Sequence, residues 1–273
     1  MNLYLCSNFQ DEVDNVTSIW EIFKDVAEKW VVVDSGSTDG TQQKLKDLVG
    51  ERLILIESDA IKTNGYGYSR TKLVEYSIGA DFCLIIDGDE RMLQEDVIKL
   101  KILIDSNPDY DLIWLPRCHY QKWDMSVVEY GSMDNIGSDW HEAVRINPDW
   151  QPRLIRRTII DGKSKVQFYR RVHEWVKAEK QHRDIENPVI RHFGWMKSPE
   201  RLKMVSDLCN TLYNMDKDNK EIIESYIPEE QKQRVARCGN CGSDLDFNTA
   251  VMDNAARTIT YLCKCRYNAV VKW

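Results

Sequence analysis

The chain has 273 residues, 42% hydrophobic, 30% charged and 10% aromatic, with 13 Gly and 7 Pro. That balance excludes a disordered or collagen-like polymer and leaves room for one large α/β domain, or one of roughly 200 residues with a small appendage. The 37 basic and 44 acidic residues give a net charge of −7, which argues against an overall nucleic-acid-binding surface while leaving local basic patches open.

In chain order, Leu3–Cys6 is a short apolar run, followed by the polar stretch Ser7–Asn15. Val16, Ile19, Trp20, Phe23 and Val26 recur at spacings of three and four, the apolar face of a helix. Trp30–Val33 reads as a buried strand that stops at the polar loop Asp34-Ser35-Gly36-Ser37-Thr38-Asp39-Gly40-Thr41. A helix with Leu45, Leu48 and Val49 follows, then a strand over Leu53–Ile56 and a helix near Ser69–Ile78. A third strong strand, Phe82–Ile86, runs directly into Asp87-Gly88-Asp89-Glu90. This alternation predicts a mostly parallel, Rossmann-like α/β sheet with flanking helices. Ligands of such sheets sit outside the carboxyl ends of the strands, where both acidic loops fall.

Beyond Asp111 the pattern is less regular: a strand over Leu112–Leu115, a long polar stretch through Trp150, and strands over Arg153–Arg157 and Val166–Arg170. Such a stretch suits an acceptor pocket. Ser198 as N-cap and Pro199 at the first helical position open a helix with Leu202, Val205, Leu208, Cys209 and Leu212 on one face. The charged segment Asp216–Lys232 reads as a connector. The expected domains are therefore 1–220, a linker over 221–236, and a small unit over 237–273.

No apolar run approaches the roughly 20 residues that span a bilayer, and the start Met1-Asn2-Leu3-Tyr4-Leu5-Cys6 is too short and polar-flanked for a signal peptide. A cytoplasmic protein is expected. Among the cysteines, Cys6, Cys83, Cys118 and Cys209 are scattered, whereas Cys238, Cys241, Cys263 and Cys265 crowd the tail. Two close thiolate pairs can close a tetrahedral shell around a structural Zn²⁺, with a β-hairpin of suitable length over Asp246–Leu262 between them. The second pair is Cys-x-Cys rather than the usual Cys-x-x-Cys. A redox pair or surface thiols are the alternatives. The tail resembles a zinc ribbon.

The Asp-x-Asp pair places two carboxylates on one turn. Their repulsion is relieved by a hard divalent cation, Mn²⁺ or Mg²⁺, which keeps open positions for phosphate oxygens. A solvated acidic turn or helix cap is the alternative. Val31–Thr41 and Phe82–Arg91 together, in this order, resemble the family 2 glycosyltransferases of the GT-A fold, and the resemblance covers about Leu3–Met196. It implies transfer of a sugar from a nucleotide-sugar, a UDP-sugar first among candidates. Asp34 and Asp39 of the first loop would face the nucleoside, and Asp87 and Asp89 the metal and diphosphate. Asp11 and Glu12 fall where many members carry an acidic or Asn-Glu pair near the nucleoside, and Arg70 where a basic residue lies near the nucleotide. Many members carry a second acidic residue where this chain has Ser35, which leaves base recognition by a carboxylate at that slot unsupported.

Arg153-Leu154-Ile155-Arg156, Val172-His173-Glu174 and His192-Phe193-Gly194 resemble the subgroup related to lipopolysaccharide-core transferases. His192 matches a position that supplies a further metal ligand in this fold, beside the alternative of a histidine held by backbone hydrogen bonds. Glu174 is the candidate base for an acceptor hydroxyl in an inverting displacement, a task suited to a carboxylate whose pKa burial raises, and His173 would orient it or contact phosphate. Glu174 paired with Arg171 or Arg153 is the structural alternative. Arg153, Arg156, Arg157, Arg170 and Arg171 either line strand faces in solvent or point their forked donors at a diphosphate or anionic acceptor. Trp114, Trp123, Trp140, Trp150, Trp175 and Trp195 read as sugar platforms or as core.

The acceptor stays open between a glycan, a lipid-linked or protein hydroxyl, and a modified DNA base. Arg234, Arg237, Arg257, Lys264, Arg266 and Lys272 make the tail locally basic. Two further readings are a non-catalytic nucleic-acid- or protein-binding module on the same scaffold and nucleotidyl transfer. The last is disfavoured because no Gly- and Lys-rich phosphate loop is present.

Overall fold

The computed structural model describes residues 1–106, 108–122, 140–143, 149–172, 174–184, 186–194, 197, 199–218, 251–253, 258–262 and 268–272. The chain divides into two compact units, Met1–Lys220 and Glu221–Trp273.

The first unit begins with strand β1 (Leu3–Phe9), helix α1 (Val13–Phe23), β2 (Ala27–Asp34), α2 (Thr41–Val49), β3 (Leu53–Glu57), α3 (Ala60–Tyr76) and β4 (Phe82–Ile85). β1 pairs in parallel with β2 and β4, and β2 with β3. Successive residues of a strand point to opposite faces. Leu3, Leu5 and Phe9 of β1 therefore join Trp30, Val32 and Leu84 on one side of the sheet, with Val16, Ile19 and Trp20 of α1. Tyr4, Cys6, Val31, Val33, Cys83 and Ile85 pack on the other side with Leu73 and Val74 of α3. Both faces are covered, which is why these strands read as unbroken apolar runs. Trp20 stacks on Trp30 with centroids 5.6 Å apart.

The third helix differs from its sequence signal. It starts at Ala60 rather than near Ser69 and kinks at Gly65. Tyr66 N–H donates to the Arg171 carbonyl there, 2.8 Å away. Gly65, Gly67 and polar Asn64 gave no apolar periodicity, so packing against a distant segment decides this turn rather than propensity.

After β5 (Glu90–Arg91) and α4 (Gln94–Asp105) come β6 (Leu112–Lys122), β7 (Trp140–Ala143) and β8 (Asp149–Arg156). Next are the short strands β9 (Ile159–Ile160), β10 (Lys163–Ser164), β11 (Gln167–Tyr169), β12 (Trp175–Lys177), β13 (Gln181–Arg183) and β14 (Ile190–His192). The main sheet runs β3-β2-β1-β4-β8-β6-β14-β5. Its parallel half ends at β4, because β8 lies antiparallel against β4 and β6 against β8.

Helix α5 spans Pro199–Asp218, with Pro at its first position as the sequence predicts, while the Ser198 cap lies outside the described residues. The start of the expected connector is thus helical, and Asp216 is buried on Arg171, whose Nη1 lies 3.0 Å from Asp216 Oδ1. No described helix is long and apolar enough to cross a membrane.

In the second unit β15 (Val251–Asp253), β16 (Thr258–Leu262) and β17 (Asn268–Lys272) form an antiparallel sheet in that order. Cys238, Cys241, Cys263, Cys265 and the 221–236 linker lie outside the described residues.

Candidate functional site

The loop after β2 is built on its own carboxylates. Asp34 is fully buried, and its Oδ1 accepts the backbone N–H of Gly36 at 3.1 Å and of Ser37 at 2.9 Å, together with Gln42 Nε2 at 2.8 Å. Its Oδ2 accepts the Ser37 hydroxyl. Asp34 therefore shapes the loop, with both oxygens engaged. Asp39 accepts the N–H of Thr41 at 2.9 Å and of Val13 at 3.0 Å, holding the first residues of α2 and α1 at once. Partial burial raises its pKa, but the hydrogen bonds from the Thr41 hydroxyl and these backbone groups outweigh it and leave the carboxyl below its usual range.

Asp11 has a left-handed backbone, φ 52°, and its Oδ1 accepts the Thr38 N–H at 2.7 Å, tying the end of β1 to the same loop. Its Oδ2 lies 3.4 Å from Arg201 Nη1 on α5. The neighbouring Ser35 presents a hydroxyl that is buried without a hydrogen-bond partner, as are Asn8 Nδ2, Arg70 Nε and Asp87 Oδ1. Buried polar atoms are rarely left unpaired. These four belong to β1, the ends of β2 and β4, and α3, so a polar ligand on this edge of the sheet would find donors and acceptors waiting. A cavity of about 180 Å³ opens beside it, lined by Val33, Ile56, Ser58, Tyr68, Ser69 and Lys72.

The turn after β4 is assembled from afar. Asp87 Oδ2 lies 2.7 Å from Arg70 Nη2 and 3.2 Å from Arg153 Nη2. Arg153 is wholly buried and lies 2.6 Å from Glu90 Oε1, while Glu90 Oε2 accepts the Asp87 N–H at 3.0 Å. The reading of Arg153 as a solvated strand residue is thus corrected: β8 sits between β4 and β6, and its position 153 turns into the interior against two carboxylates. Arg156 and Arg157 are structural too, Arg157 donating to the Val74 and Glu75 carbonyls at the end of α3. Glu174, half-buried, pairs with Arg70 Nη1 at 3.3 Å rather than with Arg171 or Arg153. One guanidinium therefore links the first aspartate to the candidate base. His173 lies outside the described residues, as do Trp123 and Trp195. Trp114 carries the Arg183 guanidinium over its ring at 4.0 Å.

The second aspartate has a different set of partners. Asp89 Oδ2 lies 3.6 Å from His192 Nε2 and 2.6 Å from Lys197 Nζ. Burial alone would raise the Asp89 pKa, yet Lys197 and His192 hold it well below the ordinary carboxylate range. Glu12 Oε1 faces the same ammonium at 3.7 Å, and burial pushes the Glu12 pKa up. Two glycines make this packing possible. A Cβ at Gly88 would sit 2.6 Å from Glu12 Cδ, and one at Gly194 would sit 2.5 Å from His192 Nε2.

The structure thus divides the Asp-x-Asp pair. The repulsion that the sequence argument assigned to a metal is met here by Arg70 and Arg153 on Asp87 and by Lys197 on Asp89. Among the described residues, no three His, Cys, Asp or Glu side chains form a group that could hold a metal ion by themselves. Asp89 and His192, with the unpartnered Asp87 Oδ1 on the same turn, nevertheless fit a hard cation whose remaining positions a ligand fills, the usual mode for Mg²⁺ and phosphates.

Sequence reasoning missed Asn8, Glu90 and Lys197. Glu90 directly follows the Asp-x-Asp and was open to inspection. Lys197 is a lone lysine without a motif.

Residues 16–136 match the model for Glycosyl transferase family 2. The match takes in both acidic loops and Arg70, and stops short of Glu174, His192 and Lys197. The matched stretch, under half of the chain, is similar to family 2 glycosyl transferases. No curated protein matches the chain. Among solved structures, TarS 1-349 from S. aureus is 14% identical with a TM-score of 0.48, over 71% of this chain and 61% of that one. Glucosyl-3-phosphoglycerate synthase from Mycobacterium tuberculosis, in complex with Mn²⁺, UDP-glucose and phosphoglyceric acid, is 16% identical with a TM-score of 0.34, over 43% of this chain and 44% of that one. The galactosyltransferase LgtC, in complex with donor and acceptor sugar analogs, is 17% identical with a TM-score of 0.33, over 41% and 46%. This chain spans about three fifths of the first structure and under half of the other two.

Proposed function

We propose that the chain is a metal-dependent glycosyltransferase that moves a sugar from a nucleotide-sugar to an acceptor hydroxyl, with inversion. The observation that carries this reading is the convergence at one sheet edge of the Asp34 loop, the Asp87–Glu90 turn, His192 and an Arg70–Glu174 pair, within and beside the stretch that matches the family model. Asp89, His192 and Asp87 Oδ1 would hold Mn²⁺ or Mg²⁺. When bound, that ion would supply Lewis-acid stabilisation of the departing nucleoside diphosphate.

The other roles fall to the protein's own groups. Asp11, Glu12, Asp34, Ser35 and Asp39 form and flank the nucleoside side. There the Ser35 hydroxyl and the Asn8 amide nitrogen are the unpartnered groups, whereas Asp34 and Asp39 act by holding the loop in shape. Arg70 keeps Asp87 and Glu174 in fixed relation, and Glu174 accepts the acceptor hydroxyl proton as that oxygen attacks the anomeric carbon. His173 would orient Glu174.

The cysteines Cys238, Cys241, Cys263 and Cys265 are proposed to bind a structural Zn²⁺. The support is their pairwise spacing and the β15–β16 hairpin that falls between the pairs. A DNA base joins glycan, lipid-linked and protein hydroxyls among the candidate acceptors on account of the basic tail.

The test is thermal shift with a panel of nucleotide-sugars, each with and without Mn²⁺, followed by donor hydrolysis in wild type and Asp89→Asn. UDP-sugars with Mn²⁺ are expected to raise the melting temperature, and Asp89→Asn to lower hydrolysis about a hundredfold or more. Pyrophosphate release from nucleoside triphosphates, or tight DNA binding with no turnover of any sugar-nucleotide, would overturn the reading.

A further inference from the structure

This inference rests on the metal position proposed above. We propose that Lys197 is a tethered cation seated at the metal position on Asp89, so that a divalent ion enters only by displacing its ammonium.

The geometry gives Lys197 the Asp89 contact that a bound ion would use. Its Nζ lies 2.6 Å from Asp89 Oδ2 and 3.7 Å from Glu12 Oε1, and the same Asp89 oxygen faces His192 Nε2 at 3.6 Å. Only 17% of its side chain is exposed. Burial works against its charge, but the Asp89 and Glu12 carboxylates outweigh that cost and raise its pKa, so the group is a firm cation. An ammonium hydrogen-bonded to this Asp89 oxygen and a dication coordinated to the same carboxylate would repel each other. The two cations would lie within a few ångströms of each other in a poorly solvated site.

Lys197 precedes α5, whose Arg201 reaches Asp11 Oδ2 and the Gln10 carbonyl. Swinging the ammonium away leaves behind the Asp89 carboxylate on the turn between β4 and β5 and the His192 imidazole on β14. The apparent metal affinity of the free protein is then lowered by the fraction of molecules in which Lys197 is seated. An incoming diphosphate offers Lys197 an alternative anionic partner and so favours metal entry.

Mn²⁺ binding to the full chain without nucleotide tests this directly, read as loss of the free-Mn²⁺ electron paramagnetic resonance signal. Lys197→Met is expected to bind Mn²⁺ about tenfold or more tightly than wild type, the value of one charge-assisted hydrogen bond. Lys197→Arg, which keeps the charge, is expected to stay near wild type. Adding Asp89→Asn to Lys197→Met should abolish the gain. Lys197→Gln gives the same reading should the Met variant not fold. Unchanged or weaker binding in Lys197→Met, with Asp89→Asn still abolishing wild-type binding, overturns the role of Lys197 and leaves the metal site standing. Mn²⁺ binding that ignores Asp89→Asn in every background overturns both.

Discussion

The Asp34–Thr41 loop and the Asp87–Glu90 turn each end a buried strand on the same edge of the sheet, and both are acidic, yet their charges are answered in opposite ways. In the first, Asp34 and Asp39 take hydrogen bonds mainly from residues two to eight positions onward in their own loop and helix. In the second, the partners Arg70, Arg153, His192 and Lys197 come from four separate segments. The first loop satisfies its own carboxylates, whereas the turn depends on cations that distant segments deliver.

Three substitutions sharpen that contrast. The largest effect is expected for Arg153→Met, which leaves Glu90 buried with only Arg117 and Asp87 with only Arg70. A loss of about 3–5 kcal/mol in urea unfolding follows from uncompensated buried charge. A loss below about 1 kcal/mol would mean that the long-range network does not hold the turn. Gly194→Ala comes next, since the added Cβ meets His192 Cε1 at 2.4 Å. Overpacking of about 1–3 kcal/mol is expected, with weaker Mn²⁺ binding as the imidazole is pushed aside. Retention of both stability and metal affinity would show that His192 has room to move.

The smallest effect belongs to the local loop. Asp39→Ala removes acceptors at two helix starts and is expected to cost about 1 kcal/mol at neutral pH. The folded-state pKa of Asp39 is lowered, so its contribution is present above the unfolded value of about 3.9 and fades as pH falls through the folded one. Unfolding at pH 7 and pH 3 should therefore show the gap between variant and wild type narrowing in acid. A widening gap would reverse the assignment of Asp39 as a charged acceptor.

The parallel half of the sheet was legible because its evidence is local. Val31–Val33 and Phe82–Ile86 are unbroken apolar runs, each stopped by an acidic loop, and α1 shows its buried face at helical spacing. The kinked start of α3 was not legible, since Gly65 and Gly67 owe their place to the backbone of residues 169–171 passing close by. Glu174 was found as a candidate, but its partner was misplaced among nearby arginines. Arg70, more than a hundred positions earlier, meets it because α3 and the segment between β11 and β12 pack together.

By itself the sequence determined the α/β order, the two acidic loops at the carboxyl edge and the chemical types gathered there, because strand periodicity and loop composition are properties of neighbouring residues. Tertiary structure alone decided which cation meets which carboxylate: Arg153 and Arg70 on Asp87, Lys197 and His192 on Asp89. Charge pairing acts over a few ångströms of space regardless of chain separation, so only the packing of α3, β8, β14 and Lys197 beside the turn after β4 could fix it.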